Sequence, residues 1–205
     1  MTVEKGRAWG EAGPLPEGGV VVGSDAEARA VVEAARRAGD PVPALGLAGG
    51  DLCRTMGGRG DAARLRSGEA LRAPVDLGSV LVDGRQHWFV AHLVVRRSWW
   101  WGRLVAAMNA EFLGPWDVAP RSHPNDGLLD VLDVEPSMRL TDRLTARRRL
   151  PSGAHLPHPA IRHTRVGAVQ VELTRPTPVW LDGQQVATGR TLSIRVEPDA
   201  LLCVV

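Results

Sequence analysis

Apolar residues recur along this chain in two different rhythms. Val20, Val21 and Val22 run without interruption, which predicts a short buried strand. Ala28, Val31, Val32 and Ala35 then fall at i, i+3, i+4 and i+7, which predicts an amphipathic helix. Ser24 and Glu27 form a capping box at its start, Gly39 suits a left-handed stop, and Pro41 and Pro43 exclude continuation. Leu45-Gly46-Leu47 predicts a second short strand, Ala48-Gly49-Gly50 a turn, and Asp51 the opening of another helix. Residues 20–57 thus read strand, helix, strand, helix, the pattern of a small α/β unit with a parallel sheet. Residues 1–18, rich in Gly and Pro, read as an arm or loop.

After Pro74 the rhythm changes. Val75 to Val82 and Arg85 to Val95 flank Asp83-Gly84, a two-residue hairpin signal. Phe89, Ala91, Leu93 and Val95 share one face of the second strand and Trp88, Val90, His92 and Val94 the other, so this hairpin is expected to be covered on both sides. Further strands are expected at Leu104–Phe112, Leu128–Val134, Val166–Thr174, Val179–Leu181, Leu192–Val196 and Leu201–Val205, with a turn at Asp182-Gly183. Ser137–Leu150 is the one helical stretch expected in this half. The fold class is α+β: residues 1–72 as a truncated α/β unit with an N-terminal arm, and 73–205 as an antiparallel β-domain, a sandwich or partly closed barrel.

A chain of 205 residues can bury a real core as one large domain or two small ones. Hydrophobic residues make up 44%, and no apolar run reaches the roughly 18–20 residues that cross a bilayer. No apolar signal segment stands at the N-terminus, so a cytoplasmic location is expected. A net charge of +2 argues against a nucleic-acid partner. Cys53 and Cys203 read as small hydrophobes. Lys5 is the only lysine, so no lysine is at hand for a phosphate loop or a Schiff base unless Lys5 serves.

Four stretches carry a family resemblance. Asn109 to Val134 is similar to a run of N-G-x-x-x-G-G-G, A-P-x-A and D-D-G-x-L-D-V; Val179 to Gly183 resembles V-x-x-D-G-E; Leu192 to Val205 resembles I-x-V-x-P-x-A-L-x-V; and Leu47 to Gly57 resembles G-T-G-N-D-L-A-R-T-L-G. Their order and spacing resemble the bacterial diacylglycerol kinase and sphingosine kinase-like lipid kinases. The resemblance implies two domains facing each other across a cleft: an α/β nucleotide domain, truncated here, and a β-sandwich. It also implies Mg²⁺ and ATP as cofactors if the protein is active. The family's G-G-D-G-T phosphate loop corresponds to Gly23-Ser24-Asp25-Ala26-Glu27, where two glycine-like positions carry side chains and Glu27 brings a negative charge. An ordinary capped helix start is the favoured reading there.

The resemblance implies further roles, each beside a plainer one. Gly49, Gly50 and Asp51 stand at a second strand-to-helix junction where amides can meet an anion; Arg54 could bind a phosphate or pair with Asp51. Asp182 matches the proposed catalytic base, and is also a standard hairpin residue; the neighbouring acid of the family is Gln184 here, which takes no proton. Asp126, with the carbonyls of His123 and Leu128, matches a structural Mg²⁺ site, or simply caps a tight turn. Trp99, Trp100 and Trp101 cannot all share one face; with Arg96, Arg97 and Arg103 they could touch a membrane or hold an acyl chain, or serve as core and dimer contact. Arg139, Arg143 and Arg147 form a basic stripe, expected to be a solvated face more than a lipid-headgroup surface. His155 and His158, among prolines, do not suit zinc. The functional expectation is a kinase-family protein with impaired phosphoryl transfer that binds a lipid or phosphorylated small molecule, peripheral to the membrane and homo-oligomeric; the alternatives are an active lipid kinase with Asp182 as base, and a structural homodimer.

Overall fold

The computed structural model describes residues 9–205. Residues 1–8, with Lys5 and part of the expected arm, lie outside the described residues. The remainder of the arm is tied down: β1 (Glu11–Ala12) pairs with a later strand, and the Leu15 amide donates to the Leu65 carbonyl. Then come β2 (Val20–Val22), α1 (Asp25–Ala38), β3 (Leu45–Leu47) and α2 (Asp51–Thr55). The expected caps of α1 are present: Ser24 Oγ accepts from the Glu27 amide, and Gly39 closes the helix at φ 77°. Ala28, Val32 and Ala35 are buried, with Ala28 and Val32 packed in one cluster with β2 and β3.

The strand-rich part contains β4 (Leu71–Val82), β5 (Arg85–Phe89), β6 (His92–Val95), β7 (Leu104–Met108), β8 (Phe112–Leu113), β9 (Trp116–Asp117) and β10 (Leu129–Val134). Helix α3 (Leu140–Arg149) comes next, then β11 (Ile161–Val166), β12 (Ala168–Leu181) and β13 (Gln184–Val204). Hydrogen bonding runs β1-β4-β13-β12-β6-β7-β10-β11, with β5 on β4 and the pair β2-β3 joined to the end of β13. The path is open at both ends, so no barrel closes. All pairings in this sheet are antiparallel except β2 with β3 and β3 with β13. The last residues of β13 therefore belong to the parallel α/β sheet while the rest serves the sandwich, and the ladder is continuous across residue 72.

Both turn signals are met. Asp83-Gly84 and Asp182-Gly183 each have two positive φ values, 47° and 85°, and 48° and 82°, the backbone that a two-residue hairpin needs. The strands differ from expectation in length. Arg85–Val95 is two strands, because the Val90 and Ala91 amides turn aside to the Asp182 carboxylate. The predicted pieces at 166–174 and 179–181 are joined in one strand, β12, with irregular register between Glu172 and Thr177. Those at 192–196 and 201–205 are likewise one, β13, irregular between Glu197 and Leu201, where Pro198 has no amide to pair and Asp199 adopts φ 53°.

Three main packed regions result. One joins α1, β2, β3 and α2 to the ends of β4 and β13. A second fills the sandwich between β4, β12 and β13 on one side and β6, β7 and β10 on the other, around Phe89, Leu93, Leu181 and Ile194. The third lies on the outer face of β6, β7 and β10, under Trp99, Trp116 and α3. Strand β6 thus has apolar cover on both faces, Leu93 inward and Val94 outward. Among the described residues no helix is long and apolar enough to cross a membrane.

Gly78 is required by one contact. It stands opposite Phe89 across the β4–β5 ladder, and a methyl group on it would overlap the Phe89 ring, which is fully buried. Gly78→Ala is expected to destabilise the protein by roughly 1–3 kcal/mol through overpacking, read as a lower urea midpoint; an unchanged midpoint would mean that the ring moves aside freely.

Candidate functional site

Because β2 and β3 are parallel neighbours, the turns after them lie side by side. Gly49 packs directly on the Gly23 carbonyl, and Gly50, at φ 97°, packs on Asp25. A side chain at either glycine would collide. Asp25 then reaches across: its Oδ2 accepts from the Asp51 amide at 2.6 Å and its Oδ1 from the Leu52 amide at 3.1 Å. It caps the start of α2 in place of a local residue. On its own turn, Glu27 Oε2 accepts from the Gly23 amide at 2.7 Å and Ser24 Oγ from the Glu27 amide at 3.3 Å. The structure therefore does bring Gly23, Ser24 and Asp25 against Gly49, Gly50 and Asp51. The amides of Gly23, Glu27, Asp51 and Leu52 each already face an oxygen of the chain.

From Asp51 the network runs into the sandwich. Asp51 Oδ2 lies 3.1 Å from His92 Nε2 and accepts from the Gly114 amide at 2.9 Å. Asp182 closes the β12–β13 hairpin with its carboxylate pointing inward. It accepts three backbone hydrogen bonds, from Val90 at 3.0 Å, Ala91 at 2.9 Å and His92 at 3.1 Å. Its side chain has no solvent exposure, and Arg29 Nε of α1 stands 3.8 Å from it. Arg29 also donates to Gln184 Oε1 at 2.6 Å and Glu33 Oε1 at 3.2 Å. Arg36 and Trp88 both hold Glu197, at 2.8 and 3.2 Å. Helix α1 is thus bolted to the hairpin tip and to the middle of β13.

Packing acids this closely shifts their titration. Burial, and then the Asp182 charge, push Asp25 up to about 6. Burial likewise raises Asp182, against the pull of His92 and the three amides. Burial works against the charge on His92, but the hydrogen bond to Asp51 and the nearby carboxylates raise its pKa overall. Burial would raise Asp51, and the bonds from His92 and Gly114 outweigh it and lower its pKa.

Asp25, Asp51 and His92 bring one ligand atom each within 4.8 Å of the others. A Mg²⁺ ion wants oxygen ligands and keeps waters. Here both oxygens of Asp25 already accept amide hydrogens, and Asp51 Oδ2 is shared between His92 and Gly114, so an ion or a phosphate would compete with bonds the chain already makes. Arg54 is engaged beside the cluster: its guanidinium stacks 3.7 Å over Phe112, donates to the Gly114 carbonyl, and helps lower the Asp51 pKa. At the other candidate metal position, Asp126 Oδ1 accepts from the Leu128 amide at 3.0 Å, Oδ2 pairs with Arg165, and His123 stacks edge-on against Trp9. The turn is anchored by Asp76, whose carboxylate takes the Gly127 and Asp199 amides.

A separate feature lies on the outer face of the sandwich. Trp99, Trp100 and Trp116, with α3, roof an apolar cavity of about 110 Å³ floored by β6, β7 and β10. Trp101 is 67% exposed. Arg103 is spent on Asp133 and the Glu172 carbonyl. The basic stripe on α3 is solvated at Arg139 and Arg147 and not at Arg143, which is buried and donates to the carbonyls of Met138, Trp99, Gly102 and Glu135; the exposed Arg147 stacks over Trp100 at 4.9 Å. His155 also lines the cavity, 4% exposed, where burial and then the neighbouring His163 lower its pKa against a backbone hydrogen bond at Val118.

Sequence reasoning missed His92 and Arg29, and weighed His155 only as a zinc ligand. His92 sits among apolar residues of a strand and Arg29 on a helix face; nothing within a few positions signals their distant partners. The anomaly of an imidazole in an apolar strand was the available hint for His92.

Residues 75–205 match the family described as the YegS C-terminal NAD kinase beta sandwich-like domain. No curated protein matches the chain by sequence. A solved structure from Bacillus anthracis str. Sterne, named provisionally as a diacylglycerol kinase, superposes with a TM-score of 0.68 at 15% identity, over 90% of this chain and 77% of that one. A second from the same organism, named in the same way, gives 0.59 at 16%, over 79% and 69%. A third, named as a diacylglycerol kinase, gives 0.56 at 16%, over 79% and 66%. At such identities the likeness is one of fold.

The network makes two measurable demands. Asp182→Asn puts an amide donor against backbone donors in a dry site and is expected to lower unfolding free energy by roughly 2–4 kcal/mol in urea titrations; full stability would mean that the carboxylate has no structural task. Asp25, near 6 folded against 3.8 unfolded, contributes stability that is complete below about pH 4 and lost as pH rises through 6. Asp25→Asn should therefore gain on the native protein by on the order of 3 kcal/mol between pH 4 and 7, and a flat difference would place the carboxyl at its ordinary value.

Proposed function

The chain belongs to the family of the YegS C-terminal NAD kinase beta sandwich-like domain, a diacylglycerol kinase-like family, and from that premise we propose that it holds a lipid rather than phosphorylating one. The observation that carries this is the state of Asp182. A general base must come within hydrogen-bond reach of the proton it removes. The Asp182 carboxylate is enclosed, accepts three amides and lies under Arg29, so no substrate hydroxyl reaches it. The family's neighbouring acid is Gln184, which is bound to Arg29. Phosphoryl transfer rests almost wholly on positioning and on stabilising charge around the phosphates. Here the amides that would do so face Asp25, Glu27 and Ser24.

Lipid holding rests on the outer cavity. Its lining is largely hydrocarbon and indole, and buried apolar contact supplies roughly 25 cal/mol per Å² of covered surface. Trp101, next along the chain from the Trp99 and Trp100 of the roof, adds an exposed aromatic suited to a membrane surface.

The test is thermal denaturation. Mg-ATP and Mg-ADP are expected to leave the midpoint unchanged, and 1-dodecanol to raise it in the native protein but not in Ala146→Trp, which fills the cavity. A midpoint raised by Mg-ATP, together with transfer of phosphate to a lipid hydroxyl, would overturn the proposal in favour of an active kinase.

A further inference from the structure

We infer that the cavity under α3 selects a single-chain lipid with an anionic head, a long-chain fatty carboxylate whose head pairs with Arg147. The inference rests on the lipid-holding proposal for the same cavity and adds the charge and the number of chains.

Charge comes first. Arg143 is buried against the cavity, and its guanidinium donates to four carbonyl oxygens and to no carboxylate among the described residues. Arg147 lines the mouth, stacked over Trp100 at 4.9 Å and Trp116 at 5.7 Å. Arg96, behind the roof, is sandwiched by Trp99 at 4.2 Å and Trp180 at 4.8 Å. Among the described residues, none of the three makes an ion pair with an acid. Burial lowers the pKa of both Arg96 and Arg143, as expected for cations without a counter-charge. Cation–π contact offsets only part of that cost. An anion at this spot would supply what the chain withholds, and a cationic or neutral head would not.

One chain, and one carboxylate, follow from size and valence. A cavity of about 110 Å³ is of the order of the roughly 150 Å³ cavities that accept a benzene-sized hydrocarbon. It takes the end of one acyl chain and not two. The donors of Arg143 are already committed to carbonyls, which leaves the Arg147 fork, among the described residues, as the set of guanidinium donors open to a ligand on the lining, and that fork matches one carboxylate.

The experiment titrates the native protein with four twelve-carbon amphiphiles below their micelle concentrations, following fluorescence of the indoles around the cavity. Dodecanoate is expected to bind about tenfold or more tighter than 1-dodecanol or dodecyltrimethylammonium. Arg147→Gln, an exposed position that leaves the core intact, should reduce dodecanoate to the level of dodecanol. Equal affinity for all heads would overturn the inference while leaving lipid holding in place. Tighter binding of dodecyl phosphate than of dodecanoate would overturn the choice of a carboxylate. Binding that persists undiminished in Ala146→Trp, or no binding of any amphiphile, would overturn the cavity itself and the lipid proposal with it.

Discussion

One buried carboxylate sets the geometry at the junction of the two halves. Asp182 sits in a left-handed turn, and its oxygens collect the three successive amides of Val90, Ala91 and His92. Those amides would otherwise continue the β5 ladder. Drawing them aside breaks the strand, starts β6 in the other layer, and fixes where the sheet folds over on itself. The same carboxylate attracts Arg29, and through Arg29 the helix α1 is locked to Gln184 and Glu33. A charge taken wholly out of water is tolerable only with such a complete set of partners. Reactivity toward a substrate would require giving some of them up.

The neighbouring turns obey the same constraint. Anion-binding sites at helix starts depend on amides left open for a ligand. Asp25 occupies the amides of Asp51 and Leu52 in α2, and Glu27 and Ser24 those of Gly23 and Glu27 near α1. Gly49 and Gly50 are needed there for a different reason from phosphate approach: the two turns touch at close range.

The outer face shows the opposite imbalance. Around the Trp99–Trp116 roof, Arg96, Arg143 and Arg147 pack on indoles or carbonyls and pair with no acid among the described residues. Carboxylates and cations are paired with one another at the junction, whereas the cations around the cavity meet carbonyls and indoles.

Short-range chemistry was legible in the residues alone. The capping box at Ser24 and Glu27, the Gly39 stop, the two Asp-Gly hairpins and the switch from helical to alternating rhythm near Pro74 all act over short stretches of chain, and their outcome needs no knowledge of the remainder. The family motifs, read in order, also placed the α+β architecture. Contacts across 26 residues from Asp25 to Asp51, or 91 from Asp182 to Ala91, were not legible, because a side chain's partner at that distance depends on how the layers stack. The period of α3 marked a basic stripe but not which surface would cover it; only packing over the outer face of β7 and β10 put Arg143 inside. Local backbone preference was therefore written in the sequence, while burial, and with it the availability of each charged group, was decided by the tertiary structure, because desolvation depends on every element that closes around a residue.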